Sequence, residues 1–349
     1  MPLAYTSLDR ENMHTMEEIY LSYLRRKNWS RAFIDEYFDW QFLQQKEVET
    51  VLALDDDRCV AMIHSSVRPY AIDGAPTRVR ETDFWISEPE YRPFASFRVL
   101  QTLMARPEPI CAVTVNDYVT SIFHRLKWQQ LPEIHQMVLP VRASILVKAA
   151  ANRMLKSVGE LPRLAALPFR FTVRPPKRIP APSSSAAVRE IVNADDIPDI
   201  VPPADGYCIT QLTNPSDFDW YAAAPKPFGD FVWLEFSIGG KPVAYTISRI
   251  YPEGPCFGAK IFHVQSAVKD PAIYGWILSE TSAHLAKRGT DWIDARFSCP
   301  LMVDALRRIG FMTGRTDIAF WWPAKEKMPE GEYLISVLYR GEGLAPYPV

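Results

Sequence analysis

The chain repeats itself, and this constrains its fold more than any other feature. Phe38-Asp39-Trp40 returns as Phe218-Asp219-Trp220. After each comes a run with strand character, VLAL from Val51 and FVWLEF from Phe231. A short polar turn follows, Asp55-Asp56-Asp57-Arg58 in one half and Gly239-Gly240-Lys241 in the other. Gly-Gly between two apolar runs is a hairpin signal. The next runs, CVAMIHSSV and PVAYTISRI, are long enough for strands, and RVRETDFWI and KIFHVQSAV supply a third strand in each half. Similarity kept in fixed order marks a repeated supersecondary unit. Two units suit 349 residues, too many for one typical core.

The second part of each half keeps the order. Phe94, Phe97, Leu100, Leu103 and Met104 recur at helical spacing, as Trp276, Ile277, Thr281 and Leu285 do less cleanly. Asp270-Pro271 is an N-cap and first-turn pair for the latter helix. Short buried strands follow, ICAVTV and WIDARF, then a second amphipathic helix in each half, ending at Trp128 or Phe311. The final strands are HQMVLPV in the first half, and AFWW and YLISVL in the second. The expected organisation is one α/β unit over residues 1–142, a linker over 143–185 and a second α/β unit over 186–349. Each unit is read as a mixed, mostly antiparallel sheet flanked by helices.

The linker carries a distinct charge. Residues 143–182 hold eight basic side chains against the single acid Glu160, a balance of +7 that leaves −9 on the rest of a chain whose total is −2. ASILVKAAANRMLKS within it reads as an amphipathic basic helix. Such a segment either touches anionic headgroups, here through residues 145–178, or lies as an arm across the domain junction. The rest of the chain gives no reason to expect a nucleic-acid partner. Five scattered cysteines and six histidines without ligand spacing predict free thiols in a reducing compartment and no metal. No basic start followed by an apolar run opens the chain, so a cytoplasmic protein is expected.

Over residues 30–142 and 205–340 the ordered pattern resembles the GNAT superfamily of acyl-CoA-dependent N-acyltransferases. One motif carrying the resemblance is Pro89-Glu90-Tyr91-Arg92-Pro93-Phe94-Ala95-Ser96-Phe97, at a strand-to-helix junction. It is similar to the family's acyl-CoA loop, with one small position kept as Ala95 and the other replaced by Phe97. The other motif is a late strand–helix unit, read as Asn116, Val119, Phe123, Lys127 and Trp128 in the first half. In the second half it reads Cys299, Met302, Leu306, Gly310 and Phe311. The tyrosine that often protonates the leaving thiolate in the family is missing from both. The resemblance implies two tandem GNAT-like units, as in Fem-type and polysaccharide-locus transferases. It implies acetyl-CoA or another acyl-CoA as co-substrate, held by Arg92, Pro93, Phe94, Ala95, Ser96 and Phe97 with Asn116. The physical basis is that unpaired N–H groups and the dipole at a helix start attract a pyrophosphate.

Acyl transfer also needs a base and a group that polarises the carbonyl. Glu81 and Asp83 lie on the strand before the loop, and alternation places them on one face with Trp85. The competing expectation is ion pairing with Arg78, Arg80 or Arg92 on a solvated surface. His124 adjoins the position of the missing tyrosine, on another face of an ideal helix. His263 occupies the corresponding strand of the second half, where a lone histidine is more often a core residue. The Phe-Asp-Trp pairs read as packing corners, the alternative being tryptophans that stack on sugar rings. The expected activity is acyl transfer to nitrogen or oxygen of a small-molecule or glycan acceptor, such as a cell-envelope precursor. The rivals are a non-catalytic pair that binds a ligand or acts as a scaffold, and a Fem-type aminoacyl transferase.

Overall fold

The structure is a computed structural model that describes residues 3–24, 29–113, 117–143, 172–203, 206–213, 216–253, 256–322, 329 and 331–336. In chain order the elements are β1 (Ala4–Ser7), α1 (Glu17–Leu24), α2 (Arg31–Phe38), β2 (Val48–Asp55), β3 (Arg58–Ile72), β4 (Ala75–Ser87), α3 (Phe97–Met104), β5 (Ile110–Val113), α4 (Asp117–Arg125), β6 (Gln129–Gln130) and β7 (Ile134–Pro140). After the linker come β8 (Ala186–Ile191), β9 (Ile209–Gln211), α5 (Ser216–Ala222), β10 (Asp230–Ile238), β11 (Lys241–Glu253), β12 (Cys256–Ser266), α6 (Pro271–Lys287), β13 (Trp292–Phe297), α7 (Pro300–Ile309), β14 (Met312–Asp317), β15 (Ala319–Trp322) and β16 (Tyr333–Leu334).

Local chemistry sets many boundaries. Ser30 caps α2 by accepting from the Phe33 amide at 3.3 Å. Asp270 accepts from the amides of Ala272 and Ile273 at 2.7 and 2.9 Å, with Pro271 in the first turn of α6. Gly239 and Gly240 both have positive φ, which joins β10 to β11 by a tight hairpin. α7 stops at Gly310, whose φ of 116° disfavours residues with a Cβ.

The strands form two mixed sheets, in the orders β1-β2-β3-β4-β5-β15-β6 and β14-β7-β13-β12-β11-β10-β8, with β9 and β16 joined to the first beside β3. In each sheet the long hairpins are antiparallel; β4–β5 and β9–β16 in the first and β12–β13 in the second are parallel. The final strands are exchanged. β7 pairs with β13 and β14 in the second sheet, and β15 pairs with β5 and β6 in the first. The sequence order implied that each half kept its own last strand. Burial explains the exchange: Met137 and Leu139 of β7 enter the core under α6 and α7, whereas Phe320 of β15 packs with α3 and α4.

One core lies between the first sheet and α3 and α4, and a second between the second sheet and α6 and α7. A third is shared: Tyr20, Tyr37 and Trp40 from the first half meet Trp220, Tyr245 and Phe262 from the second. At its centre the repeated tryptophans stack, ring centroids 4.5 Å apart and 6° from parallel. The indole of Trp40 donates to the Trp220 carbonyl at 2.8 Å, and that of Trp220 donates to the Trp40 carbonyl at 3.0 Å. Both are buried, which removes them from sugar stacking.

Residues 144–171 of the linker lie outside the described residues, and with them most of the membrane-contact segment 145–178. The described remainder straps onto the second unit. The Lys177 amide donates to the Ile309 carbonyl at 3.0 Å, Arg178 pairs with Glu280, and the Ile179 amide donates to Ser279 Oγ at 2.9 Å. Among the described residues no helix is long and apolar enough to cross a membrane.

Candidate active site

β4 and β5 pair only over Arg80–Ile110, Glu81–Cys111 and Thr82–Ala112, then part. Just past that point β4 bulges: His64 faces Asp83 and Met62 faces Ile86, leaving Phe84 and Trp85 opposite Ile63. Phe84 has a φ of 42°, unusual for a bulky residue and consistent with a bulge that re-aims the strand. The sheet therefore opens into a V beside the bulge. The second sheet has the same combination: β12 and β13 part after Ile261–Ala295, and β12 bulges at Phe262. That second V holds the chain's own C-terminal segment. Ser336 bridges to Phe297 on β13 and reaches His263 of β12 at 3.3 Å.

The bulge corrects one expectation. Trp85 does not share a face with Glu81 and Asp83. Its indole turns toward α3 and donates to the Ser96 carbonyl at 3.0 Å, while Phe84 and Ile86 join the shared core. A second correction concerns solvation. Arg78 pairs with Glu47, and Arg80 with Glu49 and Glu108, so neither neutralises the two strand carboxylates. Glu81 is fully buried and Asp83 nearly so. Glu81 Oε1 accepts from Tyr70 OH at 2.5 Å and from Gln211 Nε2 at 2.5 Å. Burial pushes the phenols of Tyr20 and Tyr221 well up, and the charge of Asp83 adds to both.

The candidate donor loop lies on the opposite face. The chain coils continuously from Pro89 through Met104, tight at Pro89–Tyr91, wide at Arg92–Ser96, then α-helical. Arg92, Pro93 and Phe94 are exposed, Phe94 to 50%. Phe97 is half-buried. Ala95 is fully buried with Val99 and Leu100, and Ser96 is also buried. The buried face of the coil is thus Ala95, Val99, Leu100 and Leu103, shifted from the stripe that led with Phe94 and Phe97. The small side chain at 95 faces the core, and the outer edge of the coil is Arg92–Phe94.

α4 packs beside the loop. Phe123, where the family pattern has tyrosine, is buried and stacks on Trp128 at 4.2 Å and Trp85 at 5.8 Å. His124 is exposed and meets Phe320 edge-on, with ring centroids 5.1 Å apart. It stands on the α3–α4 side, so the structure groups Glu81 with Asp83 and keeps His124 apart from them. Asn116 lies outside the described residues.

The face bearing Glu81 leads into a polar network that sequence reasoning missed. Gln211 Oε1 accepts from the Ser336 amide at 3.1 Å and from Ser336 Oγ at 2.8 Å. Ser336 Oγ meets His263 Nδ1 at 3.3 Å, and His263 Nε2 faces Gln265 Oε1 at 3.4 Å. The Gln265 amide donates to the Ile200 carbonyl at 2.6 Å, which fixes its orientation. Burial pushes the His263 ring down to about 4, so the ring is neutral and carries one N–H between two acceptors. No local motif announces this chain, because β3, β4, β9, β12 and the segment after β16 meet only through topology. Among the described residues no group of three His, Cys, Asp or Glu side chains is placed to hold a metal ion.

No protein-family model matches the sequence, and no curated relative is detected by sequence. Solved structures do match in fold. A GCN5-related N-acetyltransferase from Anabaena variabilis ATCC 29413 aligns with a TM-score of 0.57 at 12% identity, covering 92% of this chain and 72% of that one. Saccharomyces cerevisiae N-myristoyltransferase with bound myristoyl-CoA aligns at 0.54 and 12% identity, covering 92% and 83%. A conserved Enterococcus faecalis V583 protein described as a probable N-acyltransferase aligns at 0.54 and 9% identity, covering 91% and 72%. At these identities the likeness is one of fold: the chain has the two-unit GNAT-like α/β fold found in N-acetyl- and N-myristoyltransferases, two mixed sheets flanked by helices.

Proposed function

We propose that the protein is an acyl-CoA-dependent acyltransferase with one donor site, in its first unit. The observation that carries this reading is the V between β4 and β5, opening beside a bulged strand and the start of a coil whose outer edge is exposed. In this proposal the pyrophosphate of the donor sits on the backbone of Arg92–Ser96, where helix-start N–H groups favour anions. The thioester enters the V, and N–H groups of β4 that have left the ladder to β5 polarise its carbonyl. Glu81, with Asp83 beside it, waits on the far face to take the proton of the attacking amine or hydroxyl. A thiol with an ordinary pKa of about 8.5 leaves readily as thiolate, so Phe123 in place of a phenol does not forbid the reaction. The matching V of the second unit, filled by Ser336, makes that unit a companion which shapes the acceptor side.

The acceptor we infer is a small molecule or glycan, with a sugar amine or a cell-envelope precursor as the leading class. Its support is the sequence resemblance. The test is calorimetric titration with acetyl-CoA, myristoyl-CoA and free CoA. Binding of at least one thioester is expected. Phe94→Asp, a change at an exposed site beside the inferred phosphate position, should weaken binding about tenfold or more by charge repulsion. If neither thioester nor CoA binds, the fold serves as a ligand-binding or scaffold pair instead.

A further inference from the structure

The strand that carries Glu81 belongs to the first unit, yet the group that fixes its carboxylate comes from the second half of the chain. Gln211 ends β9, which crosses over to pair with β3 of the first sheet, setting Gln211 opposite Tyr70. The orientation of its amide is determined by chemistry. The backbone N–H of Ser336 can only donate, and it points at Gln211 Oε1 from 3.1 Å. The opposite end of the amide, Nε2, must therefore be the end 2.5 Å from Glu81 Oε1. Gln211 is fully buried, and Ser336 Oγ adds a second hydrogen bond to Oε1 at 2.8 Å.

We propose that Gln211 is a positioning residue for acyl transfer, lent by the C-terminal half to hold the Glu81 carboxylate toward the acceptor. The proposal rests on the reading of Glu81 as the base. Gln211 touches neither donor nor acceptor in this scheme. It acts by holding Glu81 Oε1 together with Tyr70 OH, and it is itself held by Ser336. A carboxylate clamped by two donors keeps one orientation, and positioned groups act on proton transfer in a way loosely held ones do not. The arrangement also gives the two-unit fold a chemical purpose: the base is assembled only when both halves are joined.

The test uses the full-length protein, with acetyl-CoA as donor and water or D-glucosamine as acceptor, following release of free thiol. Affinity for acetyl-CoA is measured separately by calorimetry. Gln211→Leu removes the donor and should lower kcat about 10- to 100-fold while Kd and KM for acetyl-CoA stay unchanged. Gln211→Glu guards against a folding artefact, because it keeps the shape and can still accept from Ser336. Its new carboxyl donates to Glu81 only when protonated. The groups near Glu81 include Tyr70 from β3 and Tyr221 from α5, and Tyr221 also feels the charges of Asp217, Arg68 and Asp83. With Asp83 already adding negative charge, the variant should approach wild-type rate as pH falls and lose activity as pH rises. Wild-type activity should not decline over the same range. Wild-type turnover together with full kcat in Gln211→Leu and a wild-type pH profile in Gln211→Glu would overturn the positioning role and leave the acyltransferase reading standing. A wild-type protein that neither binds acetyl-CoA nor releases thiol would overturn that reading, and this role with it.

Discussion

Two buried histidines give the molecule a definite response to acid. His64 sits between Thr50 Oγ1, 2.7 Å from its Nδ1, and the ring of Phe42, whose centroid is 5.0 Å away. Burial first, and then the charge of Arg68, push it down to about 3. His263 is pushed down to about 4 by burial. In the unfolded chain both rings take a proton near pH 6.5, so below that pH the unfolded state binds more protons than the folded one. Stability therefore rises with pH between the folded and unfolded values and falls on acidification through that window. Each ring contributes about 1.4 kcal/mol per pH unit, or roughly 2 kcal/mol between pH 6.5 and 5. Urea unfolding at pH 7 and pH 5 should show His263→Asn losing about 2 kcal/mol less than wild type across that interval. Equal losses would mean that the ring is charged in the folded protein. What the sequence showed at this scale was chemistry without partners. Glu81 and Asp83 are legible as two carboxylates on one strand, but Gln211 and Ser336 lie far along the chain and carry no motif. Trp85 was misplaced because one residue at positive φ, Phe84, resets alternation, and no turn residue announces it.

Periodicity carries well at the scale of elements. The hairpins and the Asp270 cap follow from local pattern, because each depends on neighbours within one strand or turn. Strand partnership does not. HQMVLPV and AFWW are equally good strands for either sheet, and only the full packing decides that each crosses over. The linker shows a similar split. Arg178 is paired with Glu280, and Arg174 lies against Gly310 at the C-terminal end of α7, where cations are favoured. Lys148, Arg153, Lys156 and Arg163 fall in 144–171, so the membrane reading of this stretch stands as a proposal carried by composition. Each basic side chain near an anionic surface contributes about 1 kcal/mol, and salt screens it. The protein is expected to sediment with anionic vesicles at low salt and be released at high salt. Gln at Lys148, Arg153, Lys156 and Arg163 should abolish the association, whereas Arg178→Gln should leave it intact. Indifference of the wild type to such vesicles at low salt would assign the whole segment to the interdomain strap.

For the whole molecule, strand exchange and the shared core argue that the two units stand or fall together. Residues 1–142 alone would lack β15, leaving the edge of β5 unpaired and Phe123 without its contact to Phe320. They would also lack Trp220, the stacking partner of Trp40. The repeated Phe-Asp-Trp motif thus does more than mark corresponding corners, since each copy supplies the ring and the carbonyl that the other copy needs. Trp40→Ala removes a fully buried side chain, for which about 3–5 kcal/mol is usual, and also leaves the Trp220 carbonyl without its donor. Because Trp40 belongs to the first half and its partner to the second, the loss should not stay in one unit. Hydrogen exchange should show the slow amides of β3 in the first sheet and of β11 in the second deprotected to the same degree by Trp40→Ala. Chemical unfolding should remain a single transition, shifted to lower denaturant. If only β3 loses protection while β11 keeps that of the wild type, the halves are independent domains and the exchanged strands are tethers. Equal loss in both would show that Glu81 and Gln211, which come from different halves, are held by one cooperative body.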